Sequence, residues 1–488
     1  MECMYKKTTK SVLQTTIPIL FLFIAQLPAF TWQHHPLFTK LLLQEIPEVV
    51  NSEPVNPEEL DAFLISEEEA LASKLVEIET WARANLKNYS PCPENLMFSA
   101  TGDANTIKER FFHAIRINPY TLLPLYKLGF SDSPPDNAEL LDVHEVCILS
   151  NTKEFEIFCF VKLNEDNAVS PLDILISSSN EPDYGMDTNL FEDNNSEFGK
   201  IYGFGSQPFG NPNLDYGSQA PFHMGFFHES PIIYLFAPFL KKSYVEYRVY
   251  LFKELAKFAF STGHPYWGWR FTGLGLHYLA DMSMPYHSTA LPGKSVLYML
   301  IINLLDILGY PTLKNNAVQL SSNRHLAIES FMGSLFLDLV KNGSDPYGII
   351  ETFLQGREKY SSINSSSEYD KYNRDKFFWL LFMEPCPLME GEYPPYSDYL
   401  ISGCLSRRSH DWSRILDKLI SQTIPSKYVN DPQVELGNLD ERFDLVNQTI
   451  LYGNADKIQE MVDVACASLF LFNYYSRGYL TEILKCKS

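Results

Sequence analysis

The sequence predicts a mainly α-helical protein that carries one small inserted region of β strands and loops. Three observations carry that expectation. Helical signals return again and again on both sides of residues 140–220. Within those residues the character changes, from β-branched and aromatic residues ("EFEIFCFVKL") to a Gly-, Asn-, Asp- and Pro-rich stretch ("DNNSEFGKIYGFGSQPFGNPNLDYGSQ"), which reads as a small β element plus long loops. Two His–acid pairs, His277 with Asp281 and His325 with Glu329, are spaced four apart inside helical segments, so each pair shares a helix face.

In chain order, residues 35–50 and 66–87 read as helices, and residues 104–117 as another, with Asp103 placed to cap "ANTIKERFFHAI". After the β and loop region, helical signals run from 243 to 285. Further helices are expected over 295–308, 322–341, 346–359, 411–421 and 440–475. The segment "SVLYMLIINLLDIL", residues 295–308, is apolar over most of its circumference, with Asn303 and Asp306 in the remaining stripe. It fits either a helix buried in the core or one that dips into lipid. No internal repeat is visible.

The N-terminus has the pattern of a secretory signal. Lys6, Lys7 and Lys10 form a basic start, "SVLQTTIPILFLFIAQL" an apolar middle, and Ala29 and Thr31 a small-residue cleavage site before Trp32. The apolar run is short for a membrane span, so a removed segment 1–31 is preferred over an uncleaved anchor, and an exported mature protein is expected. Of eight cysteines, Cys3 would leave with that segment. Cys147 and Cys159 flank what reads as strand, turn and strand, which makes them the preferred disulfide pair. No CxxC motif is present, which argues against a cysteine zinc site. The formal charge of −21 disfavours a dedicated nucleic-acid binder. There is no GxSxG nucleophile elbow, and "GFGSQPFG" lacks the strand and helix context of a phosphate loop.

The stretch "HYLADMSMPYH" places His277, Asp281 and His287 close together. Pro285 should end or kink the helix and swing His287 back toward the other two. Alone, the stretch reads equally as a helix end with solvated polar groups, because a zinc site wants three or four ligands. "NRHLAIES" adds His325 and Glu329, "GDANTIKERFFHAIRINP" adds Asp103 and His113, and "TWQHHPLFT" adds His34 and His35. Each addition is modest on its own: an HxxxE pair is commonly a surface pair, and His113 beside Phe111 and Phe112 fits a core histidine.

Together, these motifs resemble the zinc-dependent phospholipase C and single-strand nuclease superfamily, in the order Trp, His, Asp and His, HxxxDxxxxxH and HxxxE. The resemblance covers mainly residues 32–47, 95–120 and 265–332, with "GLGLHYLADMSMPYH" its strongest part. It implies a helical fold around a cleft holding three zinc ions, in one domain of residues 32–488 that includes an insertion at 121–242 and a helical C-terminal region at 333–488. Carried over residue by residue, it implies that Asp103, His113, His277 and Asp281 hold one ion and His287, His325 and Glu329 a second. Trp32, with His35 and a bridging Asp281, would hold the third, and Asp103 would also orient or deprotonate the attacking water. His34 competes with His35, while His223 and His228 ("HMGFFHE") are spare candidates; His144 and His264 are expected to be structural.

The implied reaction is phosphoester hydrolysis. "DMSMPYHSTAL" is closer to the phospholipase C form than to the nuclease form, so the expected partner is a phospholipid membrane surface as substrate, with no stable nucleic-acid partner. A single-strand nuclease or nucleotidase of the same superfamily, and an inactive zinc-stabilised surface-binding protein, are the alternatives.

Overall fold

A computed structural model of the protein describes residues 34–130, 138–213, 215–350, 398, 400–438 and 444–486. The expected signal segment, Trp32 and most of the helix expected at 346–359 lie outside the described residues.

The architecture is mainly helical. Its axis is α5 (Pro265–Ser283), in which every residue from Tyr266 to Ser283 is buried. Most of its circumference is apolar, which suits a helix inside the core, and its buried charged groups have partners there: Arg270 pairs with Glu181, and Asp281 faces His277. Around it pack α2 (Pro171–Ser178), α4 (Val245–Ser261), α9 (Ser406–Thr423) and α10 (Ile458–Leu484). Two glycines permit the closest approaches. A Cβ on Gly273 would collide with Ser178 of α2, and one on Gly275 with the Tyr479 hydroxyl of α10. The remaining helices used below are α1 (His35–Leu43), α3 (Asp215–His223), α6 (Pro285–Ser288), α7 (Val296–Ile307) and α8 (Thr312–Asn342).

One apolar core runs from Leu37 in α1 to Ile483 in α10, so the C-terminal helices share it with the helices that carry the histidines. The β element is a three-stranded antiparallel sheet in the order β1 (Tyr126–Gly129), β3 (Cys159–Lys162), β2 (Leu140–Leu141). Tyr126 pairs with Lys162 and Gly129 with Cys159, while Leu141 pairs with Phe160. The sheet packs through β1 on α2.

Three sequence expectations need correction. Cys147 and Cys159 are free thiols; the stretch between them contains a 3-10 turn at Lys153–Phe155 rather than a full hairpin strand. Among the described residues, the disulfide-bonded cysteine is Cys404. Asp103 does not cap the helix Ile107–Ile115, whose N-cap is Thr106. It instead closes a turn in which its carboxylate accepts from the Asn105 amide at 3.0 Å and the Thr106 hydroxyl at 3.0 Å.

α7 is buried only along one edge, at Met299 and Ile302, and its opposite face is exposed. No helix among the described residues is long and apolar enough to cross a membrane.

Candidate metal centre

Asp281 is the centre of the site, and its carboxylate is fully buried. Its Oδ2 lies 2.9 Å from His223 Nδ1 and 3.4 Å from His277 Nε2. Its Oδ1 lies 3.2 Å from His287 Nδ1 and 3.5 Å from His35 Nε2. One carboxylate thus faces four imidazoles. Burial alone would push the Asp281 carboxyl up; the His277 and His287 imidazoles overcome that and hold it well below the usual range.

Local sequence explains why these groups converge. His277 and Asp281 are one helical turn apart on α5. The helix stops at Ser283, and Met284, which precedes Pro285, is extended, as the residue before a proline prefers. α6 then starts at Pro285 and returns His287 to Asp281, as the kink predicted. His35 is the first residue of α1, just after His34 in a left-handed conformation, and its ring stacks on His277 with centroids 4.0 Å apart. His35 is therefore the inward histidine of the pair. His34 instead packs edge-on to Phe158, and burial followed by the neighbouring His35 lowers it to about 4.

Three groups of metal-ligating side chains meet here. They are His35, His277 and Asp281; Asp183, His223 and His277; and His287, His325 and Glu329. Within each group the ligand atoms lie within 4.8 Å of one another, and all the residues are buried. His325 Nε2 is 2.8 Å from Glu329 Oε1, one turn further along α8, and His287 Nε2 faces the same carboxylate at 3.8 Å. Desolvation raises the Glu329 carboxyl well above its ordinary value and lowers His325 to about 3.

Orientation is set from behind. His277 Nδ1 donates to the Ser179 carbonyl at 2.8 Å, which leaves its Nε2 lone pair facing inward. His287 Nδ1 sits 3.1 Å from the His223 carbonyl, which frees Nε2 toward Glu329. His223 Nε2 faces Asp187 at 3.4 Å, so its Nδ1 points to the centre, 3.0 Å from His277 Nε2. Asp187 is in turn held by Arg248 at 2.7 Å and by the Tyr278 hydroxyl at 2.6 Å. Burial would raise the Asp187 carboxyl, but the Arg248 guanidinium keeps it low. A buried Glu181–Arg270 pair at 2.7 Å pins the segment that carries Asp183. Tyr286 stacks flat on His325 with centroids 5.2 Å apart, and its hydroxyl donates to Asp417 at 2.9 Å.

Among the described residues, several inward-facing atoms make no well-aligned hydrogen bond despite their close neighbours: both nitrogens of His35, Asp281 Oδ1, Nε2 of His287, and both oxygens of Glu329. Buried polar atoms are ordinarily satisfied, and leaving one unpaired costs about 1–3 kcal/mol. Such a concentration at one point is what metal ligation would resolve. The groups present could hold metal ions, and a nitrogen and oxygen donor set without sulfur is compatible with zinc.

Of the residues singled out in the sequence, the structure brings together His35, His277, Asp281, His287, His325 and Glu329. It does not bring Asp103 or His113 to them. Asp103 is an exposed loop residue, and His113 stands edge-on to Tyr202 with ring centroids 5.8 Å apart. Asp183, which the sequence did not single out, and His223, a spare candidate there, instead join His277 in a group that could hold an ion. Both lie in the region taken for an insertion, which therefore forms part of the centre. His223 ends α3, a helix with Pro221 inside it, and Asp183 sits in a 3-10 turn, so neither follows an i, i+4 pattern. His228 lies elsewhere, 2.9 Å from the Ser406 hydroxyl, and His264 pairs with Glu58 at 2.8 Å.

No protein-family profile, curated protein or solved structure matches this chain.

Proposed function

We propose that the protein is a zinc-dependent phosphodiesterase that hydrolyses the glycerol-side phosphoester of phospholipids. The observation that carries this reading is the meeting of three buried ligand groups around one carboxylate, with both His35 nitrogens, Asp281 Oδ1, His287 Nε2 and both Glu329 oxygens making no hydrogen bond among the described residues. The donor set suits three zinc ions, one held by His35 and Asp281, one by Asp183, His223 and Asp281, and one by His287, His325 and Glu329, with the single inward nitrogen of His277 serving one of the first two. When bound, such ions supply a water acidic enough to ionise near neutral pH and positive charge against phosphoryl oxygens.

The chain's own residues do the rest. The Ser179 and His223 carbonyls, which can only accept, favour protons on Nδ1 of His277 and His287 and leave Nε2 of each as the ligand atom, while the Asp187 carboxylate stands behind Nε2 of His223, whose Nδ1 would be the ligand atom. Asp281 is the group best placed to serve more than one ion, because its two oxygens face different histidines. The role expected of Asp103 as the base passes to no residue in particular; the acidic groups at the centre are Asp183, Asp281 and Glu329.

A phospholipid substrate is favoured by the approach to His325. A cavity of about 170 Å3 has His325 and Tyr286 in its wall together with Phe209, Met224, Phe226 and Ile302. Apolar walls suit the glyceride portion of a lipid better than a polynucleotide. The test is to assay purified protein on phosphatidylcholine and on single-stranded DNA, with and without a chelator, alongside elemental analysis. Chelator-sensitive release of diacylglycerol from a zinc-containing protein is expected. Cleavage of DNA alone would replace the substrate, and a metal-free protein inert on both would end the reading.

A further inference from the structure

The outer face of α7 and of the short helix packed beside it, Pro231–Phe236, is apolar and has no partner among the described residues. On α7, Leu297, Ile301, Leu304 and Leu308 recur at helical spacing along one exposed stripe; Leu297 is 68 % and Leu308 62 % exposed. The short helix adds Leu235, 75 % exposed, and Phe236. Polar side chains normally cover such a surface, and a continuous exposed apolar patch marks an interaction site. Between Lys294 and Lys314 the only charged residue is Asp306, and Lys314 neutralises it at 2.6 Å. Residues 230–240 carry no charge at all.

The rim has the opposite sign from the whole protein, whose formal charge is −21. Lys241 lies over the Tyr234 ring of the short helix, with its ammonium 4.9 Å from the centroid. Lys294 lies over Tyr298 of α7 at 5.4 Å, and Lys242 is exposed beside them. Cationic groups held at the edge of an apolar face complement an anionic lipid surface. Beneath the face, Ile233, Met299 and Ile302 line the cavity that reaches His325. A second copy of the chain seated there would cover that cavity, whereas a lipid sheet would feed it.

We propose that α7 and the Pro231–Phe236 helix form a docking face for a phospholipid bilayer, with Lys241, Lys242 and Lys294 meeting the headgroups and the leucine stripe entering the acyl boundary. The proposal rests on the phosphodiesterase reading for its choice of occupant, but its test is separate.

Purified protein is mixed in the cold with vesicles of phosphatidylcholine, with or without phosphatidylserine, and sedimented. The Leu297→Glu/Leu304→Glu double variant replaces two exposed side chains and leaves the core untouched. Ile450→Glu, at an exposed site on the helix Leu445–Tyr452, is the control. The wild type and the control should sediment with vesicles, more strongly when phosphatidylserine is present, and the double variant should bind at least about tenfold more weakly. All three should hydrolyse soluble bis(p-nitrophenyl) phosphate equally. A wild type that stays in solution with both vesicle types overturns the proposal, as does a double variant that binds as well as wild type. A wild type that is dimeric in light scattering, with a monomeric double variant, assigns the face to a second copy and also overturns it. Vesicle binding without hydrolysis of any phosphodiester supports the docking face and sinks only the enzymatic reading.

Discussion

Replacing Asp187 by Asn separates metal positioning from simple packing. Asp187 touches no other candidate ligand than His223, whose Nε2 it faces at 3.4 Å, while Arg248 and Tyr278 hold its oxygens at 2.7 and 2.6 Å. As a carboxylate it can only accept, so it is the group behind Nε2 that would favour a proton there once an ion takes the Nδ1 lone pair; without an ion, burial would lower His223, but the Asp187 and Asp281 carboxylates raise it to about 10 and Nδ1 lies 2.9 Å from Asp281. An asparagine would turn its oxygen to Arg248 and its NH2 toward His223. The imidazole proton would then move to Nδ1 and block ligation. Loss of such a supporting partner typically costs about 10–100-fold in metal affinity, or about 1.4–2.7 kcal/mol. The same change leaves Arg248, which is fully buried, without its counter-charge; breaking a buried pair costs about 3–5 kcal/mol of stability. Both losses are therefore expected. Zinc affinity is read by competition with a chromophoric chelator and stability by thermal unfolding of the metal-depleted protein. If the melting temperature falls but zinc affinity stays within about threefold of wild type, Asp187 serves Arg248 alone and the positioning argument is wrong.

Asp281→Asn should lose more zinc, by elemental analysis, than any other single ligand substitution, because its carboxylate faces four imidazoles; a full complement of zinc would refute the bridging role. Asp183→Asn and His223→Gln should each reduce metal content and activity at least about tenfold, whereas Asp103→Asn and His113→Gln should leave both near wild type; the reverse pattern would restore the pair expected from sequence. His228, half-buried, is lowered to about 4 by burial and then by His410 and Arg407. The folded state keeps it neutral while the unfolded chain protonates it below about 6.5, so its contribution is full above that pH and is lost as pH falls toward 4. After solvent screening this amounts to about 1–2 kcal/mol, and denaturant titrations of His228→Gln should show a correspondingly shallower acid loss than wild type.

The mainly helical fold was legible because long apolar periodicities dictate helices wherever they occur, and α5, α7 and α8 follow from them. The part of the centre that was legible is the part written locally. His277 with Asp281, and His325 with Glu329, advertise themselves by sharing a helix face, and Pro285 announces the turn that returns His287. Asp183 and His223 carry no such mark. Their positions depend on distant partners: Glu181 on Arg270, and Asp187 on Arg248 and Tyr278. An aspartate after "NEP" and a histidine after a proline inside a helix look like loop residues until the chain is folded. Asp103 and His113 had the expected order along the chain, but order does not place a side chain in space. The free Cys147 and Cys159 teach the same lesson, because the hairpin assumed between them is replaced by a 3-10 turn. For α7, periodicity showed that the helix is apolar but not which side faces inward; only Met299 and Ile302 do.

The groups that face Asp281 are gathered from segments as far apart in the chain as His35 and His287, and the adjoining group extends to Glu329. Only the trio His277, Asp281 and His287 and the pair His325 and Glu329 are neighbours before folding; trio, pair and every other member must be brought together by the closing of long loops, whose entropic cost is met before the full ligand geometry exists. A nascent or damaged chain can therefore form the local trio without forming the centre. Metal capture would then act as a proofreading step for the polypeptide: the full complement of ions would be held only once α1, α3, α5, α6 and α8 had all docked, and a chain stalled short of that point would lack part of this stabilisation and stay more open to unfolding and degradation.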